Sequence, residues 1–209
     1  MRRAVTLLFA LTLVLLAGCS STGDDNGTTA VLGADPDGYH GTVVDPPWPA
    51  SAQPLESDEG AQVRLDQQDK ELRLVFFGYT NCPDICQVVM STMASAVTRL
   101  PDDERAKVQG VFITTDPARD TPAVLKDYVD RFDPDFVGLT GSLEDIVAVA
   151  EEFHIFVEKG QKLPSGGYEV SHGTQVIAVQ DGGGTLVWDA ATSPSEMAAD
   201  IEKLLKEDR

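Results

Sequence analysis

The stretch Arg73–Gln87, RLVFFGYTNCPDICQ, decides the fold of this chain. Its first part, Leu74–Phe77, is an aliphatic and aromatic run without polar alternation, which predicts a strand buried on both faces. A turn follows. Pro83 suits the first position of a helix, because the N–H that proline lacks would have no partner there. We therefore expect a helix over about Pro83–Leu100, with Cys82 at its N-cap.

Two cysteines lie at this predicted corner between strand and helix. Cys82 and Cys86 are four residues apart, so a helix would place both on one face, in an apolar stripe that continues to Val89 and Met93. The dipole and free N–H groups of a helix N-terminus favour a thiolate over a thiol. Both sulfurs should therefore face one small volume at an end of the sheet where ligands commonly bind.

The composition is that of one ordinary domain with a tail. The chain has 209 residues, is 42% hydrophobic and carries a formal net charge of -18. So large a negative charge argues against nucleic acid and against anionic lipid surfaces, since both select for Lys and Arg. A solvated acidic surface explains it more simply than a patch for a cationic partner does.

The N-terminus has the pattern of an export signal. Arg2 and Arg3 precede the apolar segment Ala4–Ala17, which is shorter than the roughly 20 residues of a membrane span. The sequence Leu16–Cys19 resembles the bacterial lipoprotein processing box, in which the cysteine is lipidated and becomes the new N-terminus. Ordinary secretion, with Cys19 in the discarded peptide or in a linker, is the alternative.

These features divide the chain into three parts. Residues 1–18 are the predicted signal peptide. Residues 19–37, rich in Ser, Thr, Gly, Asp and Asn, are a predicted disordered tether that starts at lipidated Cys19. Residues 38–209 form the domain, and Cys82 and Cys86 are its only thiols. An exported pair is by default a structural disulfide. A bridge across so small a loop constrains the unfolded chain little, however, so the pair favours a chemical role.

The remaining pattern predicts alternating strands and helices, then a hairpin and a last helix. Strands are expected over Tyr39–Val44, Gln62–Leu65, Val108–Thr114, Phe136–Leu139, Ile155–Glu158, Thr174–Val179 and Thr185–Trp188. Helices are expected from Pro122, after Ser142, and after Ser193, where Glu196 completes a capping box. Loops are expected over Asp45–Pro54 and Lys159–Gly167, and a turn at Gly182–Gly184. This order predicts a thioredoxin-like α/β fold: a central mixed sheet flanked by helices, with N-terminal extension strands.

Four sequence motifs and the tether resemble those of a known family. The motifs are Phe77–Cys86, Thr115–Pro117 leading to Arg119–Pro122, Gly138–Gly141, and Tyr168 with Val170–His172. Together they resemble the SCO/SenC family of copper-assembly proteins, which serve the binuclear copper site of cytochrome c oxidase. Two departures are Gln87, where the family usually has Pro, and Ser171, where an acidic residue is common.

The resemblance implies that Cys82, Cys86 and His172 hold one copper ion per chain. Two thiolates and an imidazole are soft or borderline ligands that suit copper(I), and a structural zinc site would need a fourth protein ligand. The implied function is that of a metallochaperone, lipid-anchored at the cell membrane with its domain on the extracytoplasmic face. Its implied partners are the oxidase subunit with the binuclear copper site, and either other copper chaperones or thioredoxin-like reductants.

An enzymatic role is the competing hypothesis. Cys82 and Cys86 would then be the redox pair of a thiol–disulfide oxidoreductase that keeps a partner's cysteines reduced. The spacing argues against it, because redox motifs place their cysteines three residues apart, and His172 has no evident part in dithiol exchange. A thiol peroxidase is a weaker hypothesis still. That class has a Thr-x-x-Cys arrangement, which is absent here because Thr80 lies only two residues before Cys82.

Other polar residues near the motifs have simpler explanations. His40 and His154 lack a motif context and are expected to be structural or on the surface. Asp84 fits a carboxylate in the first turn of a helix. The loop residues Asp116, Arg119 and Asp120 either support the site or form a turn, an ion pair and a cap. The aromatic residues beside the motif, Phe77 and Tyr79, are expected to pack.

Overall fold

A mixed sheet of eight strands is the centre of the described structure. The computed structural model describes residues 37–67, 69–83, 85–162, 168–171 and 173–207, all within the unit Ala34–Arg209. The strands are β1 Thr42–Pro49, β2 Leu55–Ser57, β3 Gln62–Val63, β4 Leu72–Gly78, β5 Val108–Thr114, β6 Val137–Thr140, β7 Glu158–Lys162, β8 Tyr168–Ser171, β9 Val176–Gln180 and β10 Gly183–Trp188. The helices are α1 Ile85–Arg99, α2 Asp102–Arg105, α3 Pro122–Val129, α4 Leu143–Glu152 and α5 Pro194–Lys206.

The strand order of the main sheet is β1-β10-β9-β4-β5-β6-β2-β3. Strands β4, β5 and β6 are parallel, and β9 joins β4 on its other side in the antiparallel direction. The early strands β1 to β3 extend the sheet at its two edges. This is the predicted mixed sheet with N-terminal extension strands, and the predicted fold class is confirmed.

Strand β4 is buried along its whole length, as its apolar run predicts. Its side chains alternate between two cores. Leu72, Leu74 and Phe76 belong to the core that α1, α3 and α5 cover. Val75 and Phe77 belong to the core on the opposite face, which α4 covers. Helices on both faces explain why the run Leu74–Phe77 needs no polar positions.

The predicted helix starts at Pro122, after Ser142 and after Ser193 are confirmed. Thr121 accepts a hydrogen bond from the N–H of Val124 at the start of α3. Ser142 caps α4 in the same way, and Ser193 and Glu196 form the full capping box of α5. The hydrogen bonds from Ser193 lower the pKa of Glu196. These ends could be predicted because each cap lies within three residues of its partner.

The N-terminal prediction is wrong in its boundaries. The segment Asp45–Pro54 was expected to be a loop, yet β1 continues through Pro46, Pro47 and Pro49. It does so at an edge of the sheet, where it pairs with β10 alone, and its register shifts between Val43 and Trp48. An edge strand needs donors on one side only, so it tolerates proline.

The region before β9 also differs from prediction. Ile155–Glu158 was expected to be an edge strand and Lys159–Gly167 a loop. Instead β7 and β8 pair as a separate antiparallel hairpin. The next turn lies at Asp181 and Gly182, whose φ values of 52° and 77° suit a tight hairpin, while Gly183 and Gly184 belong to β10.

The helices of the described ranges include none with the length and apolar character that crossing a membrane requires.

Candidate metal centre

Cys82 and Cys86 lie just beyond the C-terminal end of β4. The backbone N–H of Cys82 donates to the carbonyl oxygen of Tyr79 at 3.1 Å, so this cysteine closes a tight turn. The predicted helix start at Pro83, with Cys82 as its N-cap, is wrong, because this turn delays the start of α1 to Ile85. Cys86 is the second residue of α1 and is in its first turn, as predicted.

Both cysteines are free thiols, and both are buried. Cys82 is 7% exposed and Cys86 is not exposed at all. Their side chains are hydrogen-bonded to each other. The two sulfurs therefore face one small volume, as the sequence predicts, and Cys82 is on the side nearer to solvent.

Burial raises the pKa of the Cys86 thiol, and its hydrogen bond with Cys82 raises it further. Backbone hydrogen bonds at Tyr79, in the preceding turn, and at Cys86 itself, in the first turn of α1, act in the opposite direction but are weaker. The expected stabilisation of a thiolate by the helix N-terminus is present at Cys86, but burial outweighs it in the metal-free protein. Desolvation disfavours a charged sulfur more than the helix end stabilises it.

Gly78, the last residue of β4, lies directly beside the sulfur of Cys86. A Cβ atom at this position would lie 2.9 Å from Cε2 of Phe112 and 3.1 Å from Sγ of Cys86. Such contacts are too close for a methyl group, so only glycine lets the end of β4 approach the sulfur. The ring of Phe112 in turn packs on the ring of Tyr128, with centroids 5.0 Å apart.

Asp120 connects the cysteine loop to the loop that follows β5. Its fully buried carboxylate accepts hydrogen bonds from the N–H of Thr80 at 3.0 Å and from Oγ1 of Thr80 at 2.5 Å. It also accepts a bond from Oγ1 of Thr114 at 2.6 Å. Thr80 lies two residues before Cys82, so Asp120 fixes the backbone that carries this cysteine. Thr121, not Asp120, caps α3.

Arg119 brings a positive charge to the same loop. Its guanidinium forms an ion pair with the buried carboxylate of Asp116. It also lies over the ring of Tyr79, 5.9 Å from the centroid. Burial raises the pKa of the Tyr79 hydroxyl, and negative charge on the two cysteines raises it further. Two explanations were open for this loop: support of the site, or a turn, an ion pair and a cap. Asp120 supports the turn that carries Cys82. Asp116 forms the ion pair with Arg119.

The predicted third ligand, His172, lies outside the described residues, as do Asp84 and Cys19. The described chain resumes at Gly173 and enters β9 at Val176, which pairs with Phe76 of β4. Phe76 is two residues before the end of β4, so β9 begins beside the strand end that precedes the cysteines. Within the described ranges, no three His, Cys, Asp or Glu side chains are grouped as metal ligands.

The other two histidines have structural surroundings, as expected. Nδ1 of His40 lies 2.9 Å from the buried carboxylate of Asp200, which also accepts a bond from the indole N–H of Trp188. His154 has a positive φ of 53° after α4, and its ring contacts Trp48.

Comparison with known proteins identifies the family. The family model described as SCO1/SenC matches residues 53–206. The chain belongs to the SCO1/SenC family. The match includes both cysteines, the Asp120 loop and the segment around His172.

Individual relatives agree with this assignment. An SCO2-like protein of Rickettsia felis is 43% identical over 102 residues, which are 49% of this chain and 49% of that protein. The match thus spans about half the length of this curated relative. The solution structure of apo Sco1 from Thermus thermophilus is 33% identical with a TM-score of 0.72, and the match covers 79% of this chain and 96% of that one. A crystal structure of Arabidopsis thaliana ScoI with copper bound is 26% identical with a TM-score of 0.69, and that match covers 75% and 98%.

Sequence reasoning missed one neighbour of the thiols. Tyr128 of α3 belongs to none of the sequence motifs, yet negative charge on Cys86 and Cys82 contributes to raising its pKa, after burial itself. The helical period predicts that Tyr128 points inward, but it does not indicate which strand end the residue approaches.

Proposed function

We propose that this protein is a copper metallochaperone that binds one copper(I) ion through Cys82, Cys86 and His172. The observation that carries the proposal is the pair of free, mutually hydrogen-bonded thiols in one small buried volume. Two sulfur donors select a soft cation such as copper(I). The copper-bound ScoI structure, which has the same fold, supports this choice of metal.

His172 is proposed as the third ligand because of its place in the chain. It lies four residues before Val176, and Val176 pairs with Phe76 at the end of β4 that leads to the cysteines. The described His40 and His154 are engaged by Asp200 and Trp48, respectively. Of the three histidines in the sequence, we therefore propose His172 as the third ligand.

A site with three protein ligands suits transfer rather than storage. An incoming ligand from an acceptor can bind the metal before the first ligand leaves, so the ion need not be released into water. Cys82 retains slight exposure whereas Cys86 has none, so we propose that the acceptor replaces Cys82 first. The proposed acceptor is the cytochrome c oxidase subunit that carries the binuclear copper site, and other copper chaperones or thioredoxin-like reductants are proposed partners.

The N-terminal segment supplies the proposed location. Residues 1–18 would be removed as a signal peptide, and residues 19–37 would link lipidated Cys19 to the domain that begins at residue 38. A diacylglyceryl group provides two acyl chains, which are enough for stable anchoring. The domain would thus remain at the cell membrane on its extracytoplasmic face.

The alternative, a thiol–disulfide oxidoreductase, has less support. An attacking cysteine must be accessible and ionised. Cys86 is inaccessible, burial raises its pKa, and Cys82 is nearly covered. These properties fit sulfurs that a metal deprotonates on binding better than they fit a nucleophile.

Titration with copper(I) under a competing chelator, in the absence of oxygen, separates the two functions. The reduced domain should bind one equivalent tightly, and His172→Ala should bind it much more weakly. The matched control is His154→Asn, which removes an imidazole at a position of positive φ that asparagine tolerates, and its affinity should equal the parent's. Weak copper binding by the parent, with full disulfide reductase activity in His172→Ala, would establish the enzyme instead.

A further inference from the structure

Helix α1 presents an uncharged face to solvent, although the protein is strongly acidic. The chain carries 34 acidic and 16 basic residues, yet the 15 residues of α1 include one charged side chain, Arg99, in the last turn. Each of the other described helices carries exposed charges, for example Asp102 in α2, Asp127 in α3, Glu151 in α4 and Lys206 in α5. The neutrality of α1 is therefore not a property of the helix surfaces in general.

The solvent side of α1 forms one continuous groove. The groove is lined by Gln87, Val88, Ser91, Thr92 and Ser95, together with Pro194 of α5. Val88 is 52% exposed, more than any other large hydrophobic residue in the described helices. A helix rises 1.5 Å per residue, so the groove extends about 12 Å from Gln87 to Ser95. It begins one residue after Cys86 and leads directly away from the two sulfurs.

The stability of α1 does not explain its exposed residues. On a solvent-exposed helix face, Lys, Arg and Glu combine good helix propensity with favourable pairs at a spacing of four, whereas Ser, Thr and Val have lower propensity. Exposed Val88 also leaves apolar surface in water. Depletion of charged residues is, by contrast, the compositional mark of the centre of a protein–protein interface. The face therefore fits contact with a protein partner.

The partner that fits best is the protein that receives the metal. A second copy of this chain is a poor occupant, because each copy carries a net charge of -18 and two copies repel each other. An acceptor must bring its own ligands to the sulfurs, and Cys82 is the more exposed of the two. A protein seated on a groove that begins beside Cys86 would have its ligands close to that exposed sulfur.

We propose that the copper acceptor docks on the face of α1 from Gln87 to Ser95 through a neutral surface of its own. This inference rests on the proposed copper function. An ionised acceptor side chain pressed against this face would lose its hydration without finding an opposite charge there. Basic residues outside the contact would still steer the acceptor toward the acidic protein.

The docked complex allows direct ligand exchange. Copper(I) keeps its oxidation state throughout. Each bond to a sulfur of this chain breaks as a bond to an acceptor ligand forms, and the released cysteines take up any protons that the acceptor ligands lose. The contact on α1 holds the two proteins together during this exchange, so it affects the rate of transfer without taking part in copper binding.

The test compares copper transfer from Ser91→Glu and from Ala148→Glu. Both residues are exposed on helices, so both variants add one negative charge, but Ala148 is in α4, on the opposite face of the sheet. The loaded, reduced protein is mixed with the metal-free copper domain of the oxidase subunit, and the second-order rate constant is measured. Ser91→Glu should lower it about tenfold or more, because the charge would be buried at the contact. Ala148→Glu should keep the parent's rate.

Two further readouts separate docking from metal release. A small copper(I) chelator needs no docking face, so it should remove copper equally fast from Ser91→Glu and from the parent. The dissociation constant between the metal-free acceptor domain and the metal-free, reduced protein, measured by calorimetry, should rise in Ser91→Glu. The neutral variant Ser91→Asn should transfer copper at close to the parent's rate.

Four results would overturn the inference. Equal transfer rates from Ser91→Glu and the parent would reject the docking face and leave the copper function intact. Slower removal of copper from Ser91→Glu by the chelator would show that the substitution acts on the metal site itself. A parent dimer in sedimentation that Ser91→Glu abolishes would make a second copy the occupant. A parent that binds no copper would reject the copper function and this inference together.

Discussion

Removal of the Asp120 carboxylate should destabilise the fold and weaken copper binding together. In Asp120→Ala the two hydroxyl groups and one N–H that now bond to the carboxylate lose it. An unsatisfied buried donor costs about 1–3 kcal/mol. The hydroxyls can rotate toward other acceptors, so we expect a net loss of about 2–4 kcal/mol in the free energy of unfolding. That is a large part of the 5–15 kcal/mol typical of a domain.

The effect on copper follows from the position of Thr80. Without Asp120, the turn from Thr80 to Cys82 is no longer tied to the end of β5, so Cys82 samples positions away from Cys86. Copper binding must then also fix this turn, and the affinity should fall about tenfold, the equivalent of 1.4 kcal/mol. Urea unfolding of the reduced, metal-free domain measures the stability, and chelator competition measures the affinity.

A matched control distinguishes positioning from general loss of stability. Asp133 is also buried, and its carboxylate accepts hydrogen bonds from Arg105 and from the N–H of Asp135. Asp133→Ala should lose stability comparably but keep full copper affinity. If Asp120→Ala also kept full affinity despite its lower stability, the reasoning that Asp120 positions Cys82 would be refuted.

Three further predictions follow from the same structure. Gly78→Ala should cost about 1–3 kcal/mol of stability and weaken copper binding, because the added methyl group would lie within 3.1 Å of Phe112 and of the Cys86 sulfur; unchanged affinity by chelator competition would contradict this. Ser193→Ala removes the cap of α5 and should cost about 1 kcal/mol in urea unfolding, with copper affinity unaltered. Burial raises the pKa of Cys86, so the contribution of Cys86 to the stability of the metal-free domain should be constant below the ordinary thiol pKa. Above it, stability should fall by up to about 1.4 kcal/mol per pH unit, as the unfolded chain ionises first. Between the ordinary pKa of a thiol and that of a tyrosine, the slope should vanish in Cys86→Ala, and an equal slope in both proteins over that range would argue against this assignment.

Features with short-range causes could be predicted from the sequence. The apolar run of β4 implied burial on both faces. Pro122, Ser142 and Ser193 implied three helix starts, since each signal depends on residues at most a few positions apart. The proximity of Cys82 and Cys86 was predictable for the same reason. The family resemblance drew on patterns along the whole domain, and the SCO1/SenC match confirms it.

Features that depend on distant contacts could not be predicted. Proline residues argue against a strand, yet Pro46 and Pro47 lie in β1 because β10 offers an edge. The hairpin of β7 and β8 replaces a segment whose composition is typical of a loop. The raised pKa of Cys86 depends on burial by residues from several elements, which outweighs the local helix end. The role of His172 stays a prediction, because it lies outside the described residues.

X-ray absorption spectroscopy at the copper edge tests the central claim most directly. It would be measured on the reduced, fully loaded parent domain and on His172→Ala. We predict two sulfur neighbours and one nitrogen neighbour around a single copper(I) ion in the parent, and loss of the nitrogen in the variant. Identical spectra for both proteins, or a parent spectrum with sulfur neighbours alone, would contradict a site formed by Cys82, Cys86 and His172.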